Sequence, residues 1–121
     1  MTGNHHGPVA VVDDDLAVLD SLKFLLEVAG YRVDAYSSAA RFLEDWTLQP
    51  ACLILDQHMP HMTGLELAGE LRAQGITVPI LLISAAVSPA IIMRAAQIGI
   101  EKVLEKPPLE DELLSFVSAH S

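Results

Sequence analysis

The sequence is poor in the residues that mark secreted or membrane proteins. Cys52 is its single cysteine, so no internal disulfide can form, and its place inside an apolar run predicts a buried, unreactive thiol. No apolar run reaches the length of about 18 residues that a membrane span needs, and the polar first residues contain no apolar signal core. We therefore expect a cytoplasmic protein that does not contact a membrane.

Basic residues are also scarce. The 121 residues include 7 Lys and Arg against 16 Asp and Glu, which gives a net charge of -9. This excess of acid argues against direct binding to nucleic acids and suits a protein that binds a cation or a basic partner. The length allows one domain with a single sizeable core. We predict a flexible leader over residues 1–7 and one globular domain over residues 8–121.

Five short apolar runs alternate with five segments that have helical patterns. The runs predict strands over residues 9–12, 32–36, 52–55, 80–83 and 102–105. The segments between them contain helix caps and helix-ending glycines, at Ser38, Thr63, Ser88, Gly30, Gly75 and Gly99. Alternation of this kind implies a parallel sheet that is covered by helices on both faces. The predicted fold class is therefore α/β, a doubly wound five-stranded parallel sheet with five helices.

Polar side chains stand where four of these strands end. They are Asp13, Asp14 and Asp15 after the first strand, Asp56 after the third, Ser84 after the fourth and Lys106 after the fifth. Taken singly, each has an ordinary explanation as a loop residue, and an aspartate here also caps a helix that begins near Leu16. Because the carboxyl ends of parallel strands meet at one edge, we expect these side chains to face one crevice, where open α/β sheets bind ligands.

The residue types at this edge suit phosphoryl transfer. Clustered carboxylates repel one another unless a cation is present, and Mg²⁺ prefers one or two carboxylates with several waters. A carboxylate such as Asp56 can act as a nucleophile and form an acyl phosphate. The reaction needs cationic charge on the phosphoryl oxygens, which Lys106 could supply, and Ser84 could donate a hydrogen bond to one of them.

These segments together resemble the response regulator receiver domain of two-component signalling over residues 8–119. The stretch Asp-x-x-Met-Pro-x-x-x-Gly from Asp56 to Gly64 is the most specific match, and Val11-Val12-Asp13-Asp14, Ser84-Ala85-Ala86 and Lys106-Pro107 accompany it. The resemblance implies a flavodoxin-like sheet of order 2-1-3-4-5. It also implies that the Lys106–Pro107 peptide is cis.

The resemblance implies a role for each site residue. Asp56 is the expected phosphoacceptor. Asp13, Asp14, Asp56 and the main-chain carbonyl of His58 are the expected ligands of Mg²⁺, Asp14 directly and Asp13 largely through water. Ser84 has the hydroxyl that moves toward the phosphoryl group, and Lys106 has the matching ammonium.

The function implied is a signalling switch that assists its own phosphorylation and dephosphorylation but is not a conventional enzyme. A sensor histidine kinase would phosphorylate Asp56, and the altered surface would engage an output domain, a downstream protein or a second copy of the chain. One alternative is a pseudo-receiver that acts only as a protein-interaction module. Another is a haloacid dehalogenase-like phosphotransferase, which His58 disfavours because those enzymes carry a second acid at that position.

The chain departs from the family pattern on its output side. Val103 stands where an aromatic residue usually reports phosphorylation, Ile100 where a small residue is common, and Pro108 where Phe is common. The fourth helix and its exit are rich in isoleucine, which predicts an exposed apolar patch. We therefore expect any homodimer to form through the fourth helix and the fifth strand.

Overall fold

The computed structural model describes residues 7–45 and 49–120, so residues 1–6 of the expected leader lie outside its description. The strands are β1 (Val9–Val12), β2 (Val33–Tyr36), β3 (Cys52–Asp56), β4 (Ile80–Ser84) and β5 (Lys102–Glu105). The helices are α1 (Leu16–Val28), α2 (Ala39–Asp45), α3 (Gly64–Ala73), α4 (Pro89–Gln97) and α5 (Glu110–His120). The strands form one parallel sheet of order β2-β1-β3-β4-β5. The predicted fold class is confirmed.

Two apolar layers form, one on each face of the sheet, because successive strand residues point to opposite faces. Leu53 and Leu55 of β3 pack with the buried residues of α2, α3 and α4. Cys52 and Ile54 pack with the buried residues of α1 and α5. The fully buried position of Cys52 confirms the predicted burial of this thiol, and burial raises its pKa to about 12.

Four helices begin at predicted caps, which are Asp15 for α1, Ser38 for α2, Thr63 for α3 and Ser88 for α4. The Asp15 carboxylate accepts hydrogen bonds from the main-chain N–H groups of Ala17 and Val18 at the start of α1. Thr63 forms a capping box with Glu66 at the start of α3. These caps satisfy N–H groups that have no partner inside the helix. Each cap fixes where its helix leaves the carboxyl edge of the sheet.

Strand ends differ from the prediction by one residue, and the difference matters for the site. β3 and β4 were expected to end at Leu55 and Ile83, but Asp56 and Ser84 are their last residues. The parallel ladder continues through both, since Asp56 pairs with Ile83 and Ser84 pairs with Glu105. The two polar side chains are therefore positioned by sheet backbone and not by flexible loops.

The apolar residues of α4 and its exit are divided between the interior and the surface. Ile100 is buried, and Ile91 and Ile98 are half-buried against the core. Ile92 and Met93 are exposed, with 52% and 64% of their surface accessible. The expected exposed patch therefore consists of Ile92 and Met93. Within the described residues, no helix is both long enough and apolar enough to cross a membrane.

Candidate functional site

Three carboxylates meet at the carboxyl edge of the sheet. Asp13 follows β1 directly, Asp14 comes next, and Asp56 ends β3, which is the neighbour of β1. One oxygen from each lies within 4.8 Å of the other two. Asp13 and Asp56 are buried, with 1% and 2% of their surface accessible, whereas Asp14 is exposed. The cluster therefore has a buried floor and one solvent-facing side.

Lys106 places its ammonium against this cluster from the end of β5. Its Nζ lies 2.8 Å from Asp56 Oδ1 and 3.7 Å from Asp13 Oδ2. Burial alone would lower the pKa of Lys106, but the short contact with Asp56 and the charges of Asp13, Asp56 and Asp14 outweigh burial and raise that pKa. The Lys106 ammonium is therefore shared by two buried carboxylates, those of Asp13 and Asp56.

The charges at the cluster are incompletely satisfied. Asp13 Oδ1 accepts a hydrogen bond of 2.9 Å from the main-chain N–H of Asp15. Asp13 Oδ2 and Asp56 Oδ1 are buried, and neither accepts a hydrogen bond of regular geometry from the described residues, although the Lys106 ammonium lies 3.7 Å from the first and 2.8 Å from the second. Burial raises the pKa of the Asp13 carboxyl, and the negative charges of Asp56 and Asp14 raise it further. The hydrogen bond from the Asp15 N–H and the charge of Lys106 lower this pKa but do not cancel the increase. The carboxylate oxygens of this cluster are hard donors that suit Mg²⁺.

Ser84 reaches the same edge, but its hydroxyl is directed elsewhere. Its side chain is fully buried, and Oγ donates a hydrogen bond of 2.7 Å to the main-chain oxygen of Ala86. The same Oγ lies 3.3 Å from Nε2 of His58, whose side chain is exposed. The structure thus brings Ser84 to the site and shows its proton bonded to Ala86.

The loop after β3 is fixed by contacts with the start of α3. The main-chain N–H of Leu65 donates to Gln57 Oε1, and the N–H of Gly64 donates to the main-chain oxygen of Gln57. A Cβ at Gly64 would lie 2.6 Å from the main-chain oxygen of Asp56, so only glycine fits without a shift. Gln57 was not predicted to have a role; its one sequence signal is that it directly follows Asp56. The Lys106–Pro107 peptide is cis, as predicted.

The sequence model described as the response regulator receiver domain matches residues 9–118. The transcriptional regulatory protein FixJ of Azorhizobium caulinodans is 37% identical over 113 residues, which cover 93% of this chain and 54% of FixJ. The response regulator protein TodT of Pseudomonas putida is 37% identical over 112 residues, which cover 92% of this chain and 49% of TodT. The chain therefore spans about half the length of these curated relatives.

Solved structures have the same architecture. The response regulator StyR superposes with a TM-score of 0.85 at 35% identity, over 96% of this chain and 59% of the StyR chain. The structure titled FixJ-N superposes with a TM-score of 0.82 at 28% identity, over 95% of this chain and 93% of that one. The similarity extends over nearly the whole chain.

Proposed function

This chain belongs to the response regulator receiver domains, and from that premise we propose that it is a phosphoacceptor switch whose acceptor is Asp56. The observation that carries the proposal is the pair formed by the Asp56 carboxylate and the Lys106 ammonium, 2.8 Å apart, beside two further carboxylates. A nucleophilic oxygen, a cation and a metal-binding cluster are the groups that phosphoryl transfer requires.

The proposed step transfers a phosphoryl group from a phosphohistidine of a sensor kinase. A carboxylate oxygen of Asp56 attacks phosphorus, a P–O bond forms, and the P–N bond to the kinase histidine breaks. The imidazole nitrogen leaves with the electron pair of that bond and takes a proton from water. Lys106 offsets the negative charge of the product, because its raised pKa keeps it an ammonium at neutral pH.

We propose that Asp13, Asp14 and Asp56 hold Mg²⁺, with the main-chain carbonyl of His58 as a further ligand. The support is the donor set itself, three carboxylates within 4.8 Å that include two buried oxygens lacking an aligned hydrogen bond. When bound, the ion would draw charge from the phosphoryl oxygens. By the family resemblance, Asp14 would hold the metal directly and Asp13 would hold it through water.

In this proposal Ser84 carries the signal away from Asp56. Its hydroxyl turns from Ala86 toward a phosphoryl oxygen, and the segment between β4 and α4 moves with it. The altered surface then binds an output domain, a downstream protein or a second copy of this chain through α4 and β5. Because the curated relatives are about twice as long as the matched region, we propose a cytoplasmic regulator whose output lies on another domain or protein. This acidic chain itself would bind no nucleic acid.

A pseudo-receiver remains the alternative, and Val103 is the residue that favours it. Val103 is half-buried against the core and has no ring that could rotate when Asp56 is phosphorylated. The two functions differ in one measurable property, since a pseudo-receiver would bind its partner without accepting a phosphoryl group. We favour the switch because both partners of the Asp56–Lys106 pair are present.

Phosphorylation of Asp56 is tested by incubating the protein with Mg²⁺ and acetyl phosphate and measuring intact mass. The wild type should gain one phosphoryl group, and Asp56→Asn should gain none because an amide cannot form the acyl phosphate. Asp34→Asn is the matched control, since Asp34 is an exposed aspartate on the edge strand β2. Full labelling of Asp56→Asn would refute the assignment of the acceptor, and an unlabelled wild type would favour the pseudo-receiver.

A further inference from the structure

The side chain of His58 contacts Ser84, the residue whose hydroxyl must move in the proposed function. His58 Nε2 lies 3.3 Å from Ser84 Oγ, and Ser84 Oγ lies 2.7 Å from the main-chain oxygen of Ala86. Ser84 is buried at the end of β4, whereas His58 is exposed in the loop between β3 and α3. The imidazole therefore lies between solvent and a buried hydroxyl at the carboxyl edge of the sheet.

The number of protons decides which group donates in this contact. A serine hydroxyl has one proton, and the carbonyl oxygen of Ala86 can only accept, so the Ser84 proton lies in the 2.7 Å bond. The 3.3 Å contact is then a hydrogen bond that His58 Nε2–H donates to a lone pair of Ser84 Oγ. Both the neutral ring protonated at Nε2 and the imidazolium have this N–H.

The two hydrogen bonds keep the Ser84 proton directed away from Asp56; we name this the resting orientation of Ser84. To donate to a phosphoryl oxygen on Asp56, the hydroxyl must leave Ala86 and rotate, and the bond from His58 opposes that rotation. A contact that exists in only one of two states shifts the equilibrium toward that state. His58 therefore stabilises the resting orientation.

Building on the proposed function, we propose that the His58 side chain is a positioning residue that holds Ser84 in its resting orientation and so weakens phosphoryl binding at Asp56. This role is separate from that of the His58 main-chain carbonyl as a metal ligand. It predicts that removal of the imidazole favours the activated state, the opposite of what loss of a phosphoryl-binding group would do.

The test measures the affinity of the full chain for beryllofluoride, a phosphoryl mimic, in the presence of Mg²⁺. His58→Ala should bind beryllofluoride about two- to fivefold more tightly than the wild type, the effect of one exposed hydrogen bond. His58→Gln should return the affinity to within about twofold of the wild type, because its side-chain amide has an N–H at a similar reach. An affinity of His58→Ala equal to or weaker than that of the wild type would overturn the proposal.

A matched control and a double-mutant cycle show whether the effect passes through Ser84. His61→Asn removes a histidine from the same loop, and asparagine tolerates the positive φ of 70° at that position. It should leave the affinity for beryllofluoride unchanged. In a Ser84→Ala background, His58→Ala should have no further effect. An equal gain in that background would show that His58 does not act through Ser84.

One readout does not depend on phosphoryl binding at all. In ¹⁵N spectra, Ser84→Ala should shift the His58 Nε2 resonance and leave that of His61 in place. If the wild type binds no beryllofluoride but this shift occurs, the proposed function fails and the contact between His58 and Ser84 stands. If beryllofluoride binds but the shift is absent, the proposed function stands and the positioning role of His58 fails.

Discussion

At the residue scale, Asp13 and Asp56 occupy positions that are unfavourable for folding. Both carboxylates are almost inaccessible to water, yet they share the single ammonium of Lys106, and each has a buried oxygen without an aligned hydrogen bond. Burying a carboxylate costs free energy unless its charge and its lone pairs are satisfied. Such residues are expected where binding, and not stability, determines the sequence.

Asp13→Asn should therefore raise the free energy of unfolding at pH 7 in metal-free buffer. The pKa of Asp13 is raised in the folded state, mainly by burial, so folding disfavours its ionised form. The protonated carboxyl contributes its full stability at pH values below the ordinary pKa of the unfolded chain, and this contribution is lost as the pH rises through the higher pKa of the folded state. Denaturant titrations should show that Asp13→Asn has a higher free energy of unfolding than the wild type at pH 7 and that this difference is smaller near pH 4.

Asp20→Asn is the control for this comparison, because Asp20 is an exposed aspartate within α1. It should change stability little at either pH. Addition of Mg²⁺ should make the wild type more stable than Asp13→Asn, since the metal offsets the repulsion among the three carboxylates of the wild type. A lower stability of Asp13→Asn in metal-free buffer at pH 7 would contradict this account of the cluster.

At the element scale, the start of α3 supports the acceptor. Gly64 is the first residue of α3 and packs against the backbone of Asp56 and the side chain of Leu82. The cap formed by Thr63 and the hydrogen bonds to Gln57 hold this turn in place. The position of Asp56 therefore depends on how closely one helix end approaches β3.

Two glycines of α3 provide a matched pair of substitutions. Gly64→Ala should destabilise the protein and reduce phosphorylation by acetyl phosphate, because its Cβ would lie 2.6 Å from the Asp56 main-chain oxygen. Gly69→Ala has ordinary space, with Arg94 Nη2 at 3.8 Å, and should gain about 0.5–1 kcal/mol from its better helix propensity. Chemical denaturation and mass spectrometry measure both properties. Equal effects of the two substitutions would contradict the role of the close approach at Gly64.

The helix α4 is held at its end by a side chain of α3. Arg72 donates hydrogen bonds to the main-chain oxygens of Ile98 and Gly99 beyond α4 and of Ile76 beyond α3. The middle of α4 has only Ala95 fully buried, and Ile92 and Met93 face solvent. This helix combines a fixed end with an apolar outer surface, as a helix that forms an interface would.

Met93→Glu should weaken dimerisation of the beryllofluoride-activated protein by about tenfold or more, if α4 forms the dimer interface, because a charge would be buried there. Phe24→Glu is the control, since Phe24 is similarly exposed, at 70%, on α1 at the opposite face of the sheet. Sedimentation equilibrium of both variants gives the dissociation constants. Weakening by Phe24→Glu instead would place the interface on α1.

At the scale of the whole molecule, the sheet separates two apolar layers, and Cys52, the first residue of the central strand β3, lies on the side of α1 and α5. Its thiol is fully buried, and burial raises its pKa to about 12. The thiolate is the reactive form of cysteine. Alkylation at ordinary pH therefore requires an opening of the core.

Alkylation of Cys52 at pH 8 should accordingly report stability, and Mg²⁺ should slow it. At a concentration of 100 times its dissociation constant, a ligand that binds only the folded state adds about 2.7 kcal/mol. This corresponds to labelling about 100-fold slower if Cys52 reacts only in the unfolded chain. Asp14→Ala should lose this protection. Rapid labelling of the native protein, with or without Mg²⁺, would show that the core opens locally.

Much of the fold was determined by local patterns in the sequence. The β-branched runs, the caps at Thr63 and Ser88 and the glycines after the helices predicted five strands and five helices, because these signals act within a few residues of the chain. The order of the strands came from the resemblance to receiver domains, since local patterns do not specify which strands become neighbours. The alternation also predicted that Asp13, Asp56, Ser84 and Lys106 would share one edge.

Only the tertiary structure decided what these residues contact. The isoleucines of α4 look alike in the sequence, but Ile91 packs against the core and Ile92 faces solvent, because each position depends on the neighbouring helices and strands. The direction of the Ser84 hydroxyl depends on Ala86 and on His58, which is 26 residues away. The contact of Gly64 with Leu82 likewise joins α3 to β4. The sequence determined which groups reach the edge of the sheet, and the packing of distant segments determined their partners.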